Sequence, residues 1–493
     1  MLPSETLKRL GNMKDTAPIT TFAKRRLRNL MAYTLLTYLS MMHAAGFAVA
    51  QEAPSAFSYP IHVRQIPLPC NDIAFDPISR KIYASLPSSY GPEGNSVVEI
   101  DPVTGKLGKP FSVGSEPTHI AISNDGKYLY VLLSGAKAVR RLNLQTNRIE
   151  PPFSIGPWEP TQIVVLPKNP AWIAVVRRRG ATTGYVDVAL FENGVERPGT
   201  YGGHGAPTVI ALNDDGTRMY AYNGWISSYD FARWNLNRDG WAAGGDSTGS
   251  LINGYNLNMT YAGGRIYVNN GLVVDPEKRI PLGHFEGAGG MVLPDLKTGR
   301  ILFIKNKDRD INFPLRDDGC VVRAYDPEKY TLKGVTYLPR VMGNPESGLI
   351  WGEGRYAFRS EGKVVFISPD MDLLSACKAH NWPLAQQFLQ KDCNVNCSDE
   401  FGATSLMFAA YYSNASIAGV LVERGADVRA ADGNGNTALS FAVLAGNSQL
   451  VDLLLRKGAD PNAGGSLGKP LKIAQDRGRD DLIQMLQQAG GKP

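Results

Sequence analysis

The segments GATSLMFAA (402–410) and GNTALSFAV (435–443) are two copies of one pattern, and they lie 33 residues apart. The surrounding chain repeats at the same distance, because DCNVN (392–396) returns as GADVR (425–429) and again as GADPN (458–462). A period of this length is typical of stacked helix pairs, in which each unit buries its apolar face only against its neighbours. The C-terminal quarter of the chain is therefore predicted to be an all-α solenoid.

The residues of this pattern also carry a family resemblance. DGNGNTAL (432–439) stands where the ankyrin repeat has its D-x-x-G-x-T-P-L turn and helix start, and GADPNA (458–463) matches the closing G-A-D-x-N-A of that repeat. The C-terminal part of the chain thus resembles ankyrin repeats. The resemblance implies about four repeats over residues 371–493, with segment 371–396 as an N-terminal cap, and a surface that binds a protein partner.

Residues 58–370 have a different pattern, in which short β-prone runs alternate with turns rich in Gly, Pro, Asn and Asp. Seven of these runs are related to one another: KIYAS (81–85), KYLYV (127–131), AWIAV (171–175), RMYAY (218–222), RIYVN (265–269), RILFI (300–304) and RYAFR (355–359). Their central residues recur on average about every 46 residues. A period of roughly 40–50 residues with several short strands in each unit is typical of propeller blades. This part of the chain is therefore predicted to be an all-β propeller with seven blades.

The starts of several blades support a second resemblance. EPTHIAIS (116–123), EPTQIVVL (159–166) and APTVIALN (206–213) share one pattern, and DPVTGK (101–106) follows a strand of the first blade. These residues resemble the YVTN family of β-propellers, whose blades open on a similar motif and contain a D-P-x-T-G-K turn. The resemblance covers residues 58–370 and implies the seven-bladed form of the fold.

The seventh blade is predicted to be closed by the N-terminal end of the domain. The chain leaves this blade at KVVFISPD (363–370) after only three strands, whereas SYPIHVRQIPL (58–68) precedes the first blade and provides an unused strand. Pairing these two segments closes the ring and removes the free edges that an open array would expose.

The first 50 residues are predicted to be an N-terminal extension and a signal peptide. An apolar stretch from Leu30 to Ala50 follows four basic residues and ends in Ala-Val-Ala, which provides small residues for a signal peptidase. Cleavage is expected between Ala50 and Gln51, which places the mature protein in the periplasm or outside the cell. The alternative is an uncleaved inner-membrane anchor, because about 20 apolar residues also span a bilayer.

The distribution of charge indicates which partners to expect. The formal net charge is +6, but four of the positive residues lie next to the leader, so we expect no nucleic-acid partner and membrane contact only through an uncleaved leader.

The five cysteines are an odd number, and the sequence leaves their pairing open. They are Cys70, Cys320, Cys377, Cys393 and Cys397.

Polar residues near the starts of the innermost strands are the candidates for chemistry in the propeller. Alignment of the blades gives Asp72, His119 and Gln162 equivalent places, with Glu346 near the corresponding place in the seventh blade. Converging carboxylate, imidazole and amide groups would hold a metal ion in the axial channel. The alternative is a water-filled polar channel. No catalytic residue and no cofactor motif is identified.

The candidate partner-binding residues lie in the repeats. Tyr411, Tyr412 and Leu444 follow paired alanines of the inner helices, and Phe401 lies in a hairpin, so together they would form an apolar patch for a protein partner. Alternatively, they pack against a neighbouring repeat or the propeller. The sequence thus favours an exported, non-enzymatic scaffold. The second interpretation is a propeller hydrolase or lactonase with an axial metal site and an ankyrin docking module.

Overall fold

A computed structural model gives the arrangement of most of the chain after the leader. It describes residues 62–179, 185–198, 201–203, 207–224, 230–237, 240–241, 246–249, 251–306, 319–339, 341–369, 372–391 and 393–492. The strands form seven antiparallel sheets of four or five strands, and the helices all follow them in the chain. Each sheet is one blade of a propeller.

The first four blades follow one another along the chain. Blade 1 contains β2 (Asp72–Asp76), β3 (Lys81–Leu86), β4 (Ser96–Ile100) and β5 (Phe111–Ser112), with a short 3-10 helix at Ser88–Tyr90. Blade 2 contains β6 (Pro117–Ile122), β7 (Tyr128–Leu133), β8 (Ala138–Asn143), β9 (Arg148–Ile149) and β10 (Phe153–Ser154). Blade 3 contains β11 (Glu159–Leu166), β12 (Asn169–Arg179), β13 (Tyr185–Glu192), β14 (Val195–Glu196) and β15 (Tyr201–Gly203). Blade 4 contains β16 (Val209–Leu212), β17 (Arg218–Tyr222), β18 (Phe231–Asn237), β19 (Gly240–Trp241) and β20 (Asp246–Thr248).

The last three blades have four strands each. Blade 5 contains β21 (Met259–Ala262), β22 (Arg265–Val268), β23 (Leu272–Asp275) and β24 (Ile280–His284). Blade 6 contains β25 (Met291–Asp295), β26 (Arg300–Asn306), β27 (Gly319–Tyr325) and β28 (Leu332–Pro339). Blade 7 contains β29 (Ser347–Gly352), β30 (Arg355–Ser360), β31 (Lys363–Ser368) and, as its outermost strand, β1 (His62–Pro67).

The seven recurrent runs of the sequence all lie in the second strands of their blades, where their side chains fill the spaces between blades. Tyr83 of β3, for example, is 4 % exposed and packs against Leu129 and Val131 of the next blade. The described propeller residues form seven hydrophobic clusters, and each cluster lies between two neighbouring blades. The repetition in the sequence therefore reflects one packing requirement that every blade must meet.

The ring closes in the predicted way. The innermost strands contact one another in order from blade 1 to blade 7, and β29 of blade 7 also contacts β2 of blade 1. Strand β1 pairs antiparallel with β31, with His62 opposite Ser368 and Pro67 opposite Lys363. The N-terminal strand thus completes the last blade and leaves no open end in the ring.

The C-terminal residues form four helix pairs, which we call the repeat stack. The pairs are α1 (Leu373–Lys378) with α2 (Trp382–Leu389), α3 (Ser405–Tyr411) with α4 (Ala415–Glu423), α5 (Ala438–Ala445) with α6 (Ser448–Arg456), and α7 (Pro470–Asp476) with α8 (Asp480–Gln488). The first three inner helices begin at side-chain caps, since Asp372, Thr404 and Thr437 each accept a hydrogen bond from the third residue of the helix. The predicted fold class, an all-β propeller followed by an all-α solenoid, is confirmed.

The repeat stack docks directly on the closing strand of the propeller. Gln65 of β1 donates its backbone N–H to the carbonyl of Ser398 (2.8 Å) and accepts the N–H of Ser398 in return (3.3 Å). Asn394 in the same hairpin donates to the carbonyls of Thr104 (3.1 Å) and Gly105 (3.0 Å) in blade 1. Cys397 is buried in the cluster between blades 7 and 1. The first hairpin of the repeat stack is therefore part of the propeller's packing.

Among the described residues, no helix is long and apolar enough to cross a bilayer. The eight helices of the repeat stack have six to nine residues each.

Candidate functional site

A row of five side chains crosses the first three helix pairs, and we call it the aromatic surface: His380, Trp382, Tyr411, Tyr412 and Phe441. The ring centroid of Tyr412 lies 3.3 Å from that of His380 and 4.8 Å from that of Tyr411. The ring of Tyr411 in turn meets that of Phe441 at 5.9 Å and 90°. Since Tyr411 is 37 % exposed, the row keeps aromatic area in contact with solvent.

His380 occupies an unusual backbone position for a large side chain. Its φ is +56°, and the residues one and two repeats later, Ser413 and Gly446, have φ values of +59° and +73°. Only glycine adopts this left-handed region without steric cost, so the turn would form more easily with glycine at position 380. Eleven other described non-glycine residues also have a positive φ, so the backbone angle by itself marks no binding site. The His380 ring lies in the aromatic surface, in contact with the ring of Tyr412.

Phe401 lies at the tip of the hairpin between the first two helix pairs and is 41 % exposed. The Lys378 ammonium lies 5.7 Å from the centroid of its ring and pairs with Asp399 (2.9 Å) and Glu400 (3.3 Å). Burial opposes the charge on Lys378, but the two carboxylates outweigh it and raise the pKa of the ammonium. Lys378 therefore fixes this hairpin tip to the end of α1, two residues before His380.

The structure places the four predicted partner-binding residues in three different settings. Tyr411 and Tyr412 lie together in the aromatic surface, and Tyr412 also packs against the neighbouring first repeat. Leu444 packs against the core of the repeat stack, and Phe401 lies on its hairpin.

Sequence reasoning missed three members of the aromatic surface. His380 was detectable, because the 33-residue period aligns it with Ser413 and Gly446 and leaves a large residue at a glycine position. Trp382 and Phe441 occupy other positions of the repeat, so alignment on the paired alanines does not select them.

The predicted channel residues line a polar cavity of about 310 Å³ at the starts of the innermost strands. Asp72, His119, Gln162 and Glu346 all border this cavity. A second cavity of about 240 Å³ lies next to it, because the two share lining residues. The shared residues are Thr161, Thr208, Val209 and Asn258. We call the two together the axial cavity.

Two of the predicted residues join neighbouring blades. Asp72 in blade 1 accepts the backbone N–H of Ile120 in blade 2 at 3.0 Å. Gln162 in blade 3 makes the equivalent link to blade 4, since it accepts the N–H of Ile210 at 2.9 Å and donates to the carbonyl of the same residue at 2.9 Å. Their equivalent places in the blade alignment therefore correspond to equivalent structural roles.

His119 and Glu346 complete a lining of mixed charge. The Nδ1 atom of His119 lies 3.5 Å from the Asp72 carboxylate, whereas Glu346 forms an ion pair with Arg359. In the part of the chain that the structure describes, no three His, Cys, Asp or Glu side chains are grouped to hold a metal ion. The structure thus brings Asp72 and His119 together, and it pairs Glu346 with the guanidinium of Arg359.

All five cysteines are free thiols in the structure. Burial raises the pKa of Cys70, Cys320, Cys377 and Cys397 to about 12. The Cys393 thiol donates to the carbonyl of Phe388 at 3.3 Å, and burial raises its pKa as well. Thiols held in the neutral form are poor nucleophiles, so these side chains contribute packing.

The predicted cleavage site between Ala50 and Gln51 and the apolar segment from residue 30 to residue 50 lie outside the described residues.

Comparison with known families identifies the repeat stack. Residues 373–464 match the ankyrin-repeat family model, described as ankyrin repeats in three copies. The match covers the first three helix pairs, and the fourth pair, from Pro470 to Gln488, follows it. A comparison with curated proteins found no match. The C-terminal part of this chain is thus similar to ankyrin repeats, and a seven-bladed propeller precedes it.

Proposed function

We propose that this protein is an exported, non-enzymatic scaffold that binds a protein partner through the aromatic surface. Ankyrin repeats and propellers are both typical protein-interaction modules. The observation that carries the proposal is the row of rings across three helix pairs. Exposed aromatic residues that lie together supply a large share of the free energy of protein association.

The docking of the repeat stack on the propeller supports a scaffold role. The hydrogen bonds of Gln65 and Asn394 across this junction fix the first helix pair relative to blades 7 and 1. A partner that contacts the aromatic surface therefore meets a preorganised site, which reduces the entropy lost on binding.

Asp72 and Gln162, two of the channel candidates, are engaged in hydrogen bonds between blades. We therefore assign the propeller a supporting role and not a catalytic one. The YVTN type of propeller remains part of the proposal, and it rests on the blade motifs such as EPTHIAIS (116–123).

Export is inferred from the leader alone. The apolar stretch from Leu30 to Ala50 and its Ala-Val-Ala end support cleavage before Gln51 and a periplasmic or secreted protein. Mass spectrometry of the N-terminal peptide from the envelope and culture fractions tests this point. A mature N-terminus at Gln51 supports it, whereas recovery of an intact segment 30–50 in the membrane fraction supports the anchored alternative.

Site-specific photo-crosslinking tests the binding site. A photoreactive phenylalanine analogue at position 411 should capture the partner in intact cells, and mass spectrometry then identifies it. The affinity of the purified partner is next measured for the parent and for Tyr411→Ala. Loss of a central aromatic contact costs about 2 kcal/mol or more, so binding should weaken about 30-fold.

Tyr255→Ala is the matched control, because Tyr255 is 59 % exposed but lies on the propeller. This variant should bind the partner with the parent's affinity. Equal affinities for Tyr411→Ala, Tyr255→Ala and the parent would place the binding site elsewhere.

A further inference from the structure

We propose that the aromatic surface binds an extended, proline-rich segment of the partner that carries a basic residue at one end. This inference rests on the proposed function, because it names the kind of segment that the same surface binds. Three features of the surface carry it: its narrow shape, its unused hydrogen-bonding groups and the charge beside it.

The aromatic surface is a narrow row of rings. Successive ring centroids along it, from Trp382 through the two tyrosines to Phe441, lie 6.2, 4.8 and 5.9 Å apart, and these three steps add up to about 17 Å. An α-helix with its side chains is about 10–12 Å across, which is wider than a single row of rings. An extended polyproline II segment rises about 3.1 Å per residue, so about six residues cover the whole row.

Three polar groups in the row are unused. The hydroxyls of Tyr411 and Tyr412 and the indole N–H of Trp382 form no hydrogen bond with the residues that the structure describes. Tyr411 is 37 % exposed, and the polar atoms of the other two half-buried side chains are open to solvent. The row therefore offers apolar ring faces together with three groups that can donate a hydrogen bond.

A proline-rich segment matches this combination. Proline has no backbone N–H, so such a segment brings carbonyl acceptors and apolar rings but few donors that need a partner. In the polyproline II conformation the carbonyls make no internal hydrogen bonds, so they are free to accept from the tyrosine and tryptophan groups. The conformation is also formed in advance, which reduces the entropy lost when the segment binds against aromatic rings.

The charge at one side of the row favours a basic residue in the segment. Lys378 pairs with both Asp399 (2.9 Å) and Glu400 (3.3 Å), so its ammonium is already engaged. The next hairpin tip is adjacent, since Gly433 donates its N–H to the carbonyl of Phe401 at 2.8 Å. It adds the carboxylate of Asp432, which forms no ion pair with a described residue. Three carboxylates against one ammonium complement a lysine or arginine of the partner.

Fluorescence anisotropy of the purified protein at low ionic strength tests the proposal with three labelled peptides of ten residues. The first has an arginine followed by nine prolines, the second has a glutamate in place of that arginine, and the third has the arginine followed by alternating glycine and serine. We expect the first peptide to bind, the second to bind about threefold more weakly and the third about tenfold more weakly. The proposal is wrong if the first peptide does not bind, or if either of the others binds as tightly.

Two conservative variants test the groups that carry the inference. Tyr411→Phe keeps the ring and removes the hydroxyl, so it should weaken binding of the first peptide about fivefold, as expected for one lost hydrogen bond. Tyr255→Phe is the matched control, because Tyr255 is 59 % exposed on the propeller, and it should bind like the parent. Glu400→Gln should reduce the difference in affinity between the first two peptides. Parent-like behaviour of both Tyr411→Phe and Glu400→Gln would contradict the proposal.

The photo-crosslink at position 411 separates this inference from the proposed function. Mass spectrometry of the partner peptide joined to that position should identify a proline-rich segment with an arginine or lysine beside it. If the joined peptide contains no proline while Tyr411→Ala still weakens binding of the partner, this inference is wrong and the proposed function stands. If Tyr411→Ala binds the partner as tightly as the parent does, the proposed function itself is wrong.

Discussion

The guanidinium of Arg64 lies 3.0 Å from the carboxylate of Asp372, across the junction between the propeller and the repeat stack. Arg64 belongs to the closing strand β1, and Asp372 caps the first helix of the repeats. The same guanidinium donates to the carbonyls of Pro102 (2.5 Å) and Val103 (2.9 Å) in blade 1. One side chain thus links ring closure, a blade turn and the start of the repeat stack.

Arg64→Met should destabilise the protein substantially. The substitution leaves the Asp372 carboxylate without its cation in a largely buried setting, where loss of one partner costs about 3–5 kcal/mol. Urea denaturation followed by far-UV circular dichroism measures the change. Asp372→Asn keeps the helix cap and removes only the charge, so it isolates the ion pair; because it leaves the Arg64 side chain, 7 % exposed, without its anion, it should destabilise the protein as well. An Arg64→Met variant that unfolds at the parent's urea concentration would contradict the assigned role of the junction.

Substitutions of Asp399 and Glu400, in the hairpin that carries Phe401, should change the stability of the protein in opposite directions. Asp399 is 2 % exposed and accepts the N–H groups of Phe401 and Ala403, both at 2.9 Å, so Asp399→Ala should cost about 1–3 kcal/mol. Burial raises the pKa of Glu400. Because the folded state favours its protonated form, the contribution of Glu400 to stability is present below the pKa of the unfolded chain and is lost as the pH rises through the folded pKa.

Glu400→Gln should therefore match or exceed the parent's stability at neutral pH, and it should lose that advantage in acid. Thermal denaturation of Glu400→Gln and of the parent, each at neutral and at acid pH, measures this difference in stability. If Glu400→Gln is less stable than the parent at neutral pH, the attraction to Lys378 outweighs the cost of burying the carboxylate.

His380→Gly should separate stability from binding. The left-handed backbone costs residues other than glycine about 1–2 kcal/mol, and glycine at position 380 removes that cost. Part of this gain in stability is lost again, because glycine has a greater conformational entropy in the unfolded chain. The repeat stack of the variant should thus be at least as stable as that of the parent, while binding of the crosslinked partner weakens. Differential scanning calorimetry and the affinity measurement report the two effects. Unchanged affinity would mean that the imidazole ring is not part of the binding site.

The fold was predictable because every blade and every helix pair must meet the same packing requirement. Tyr83 and its counterparts in the other six blades each fill the same kind of space between two blades, so the same residue pattern recurs in the sequence. The roles of the channel residues were not predictable in this way. Asp72 and Gln162 were correctly aligned, but their partners are backbone groups of Ile120 and Ile210. Because nearly every residue has the same backbone groups, such partners cannot be identified from the residue types.

The junction was equally hidden from the sequence. The pairing of Gln65 with Ser398 joins two segments that are 333 residues apart in the sequence (398 − 65), and no local pattern of residues requires it. The aromatic surface was found in part. Tyr411 and Tyr412 are adjacent and easily identified, whereas the contacts of His380 and Trp382 with Tyr412 depend on how the first two repeats pack.

Leu439→Ala should melt the repeat stack at a lower temperature and leave the propeller folded. Leu439 is completely buried on the inner helix α5, so its truncation should cost about 2–5 kcal/mol. The stack depends on contacts between neighbouring repeats, and a loss in the third repeat affects both sides of it. Loss of the helical circular dichroism signal should therefore precede unfolding of the propeller's sheets.

Two leucines of the outer helix α6 provide the controls. Leu454 is completely buried and should behave like Leu439, whereas Leu455 is only partly buried and its alanine variant should cost less. If Leu439→Ala lowers the unfolding temperatures of helices and strands by the same amount, the hydrogen bonds of Gln65 and Asn394 couple the two parts into one cooperative unit. In that case the propeller depends on the repeat stack for part of its stability, and the blade that β1 closes would be the first to open.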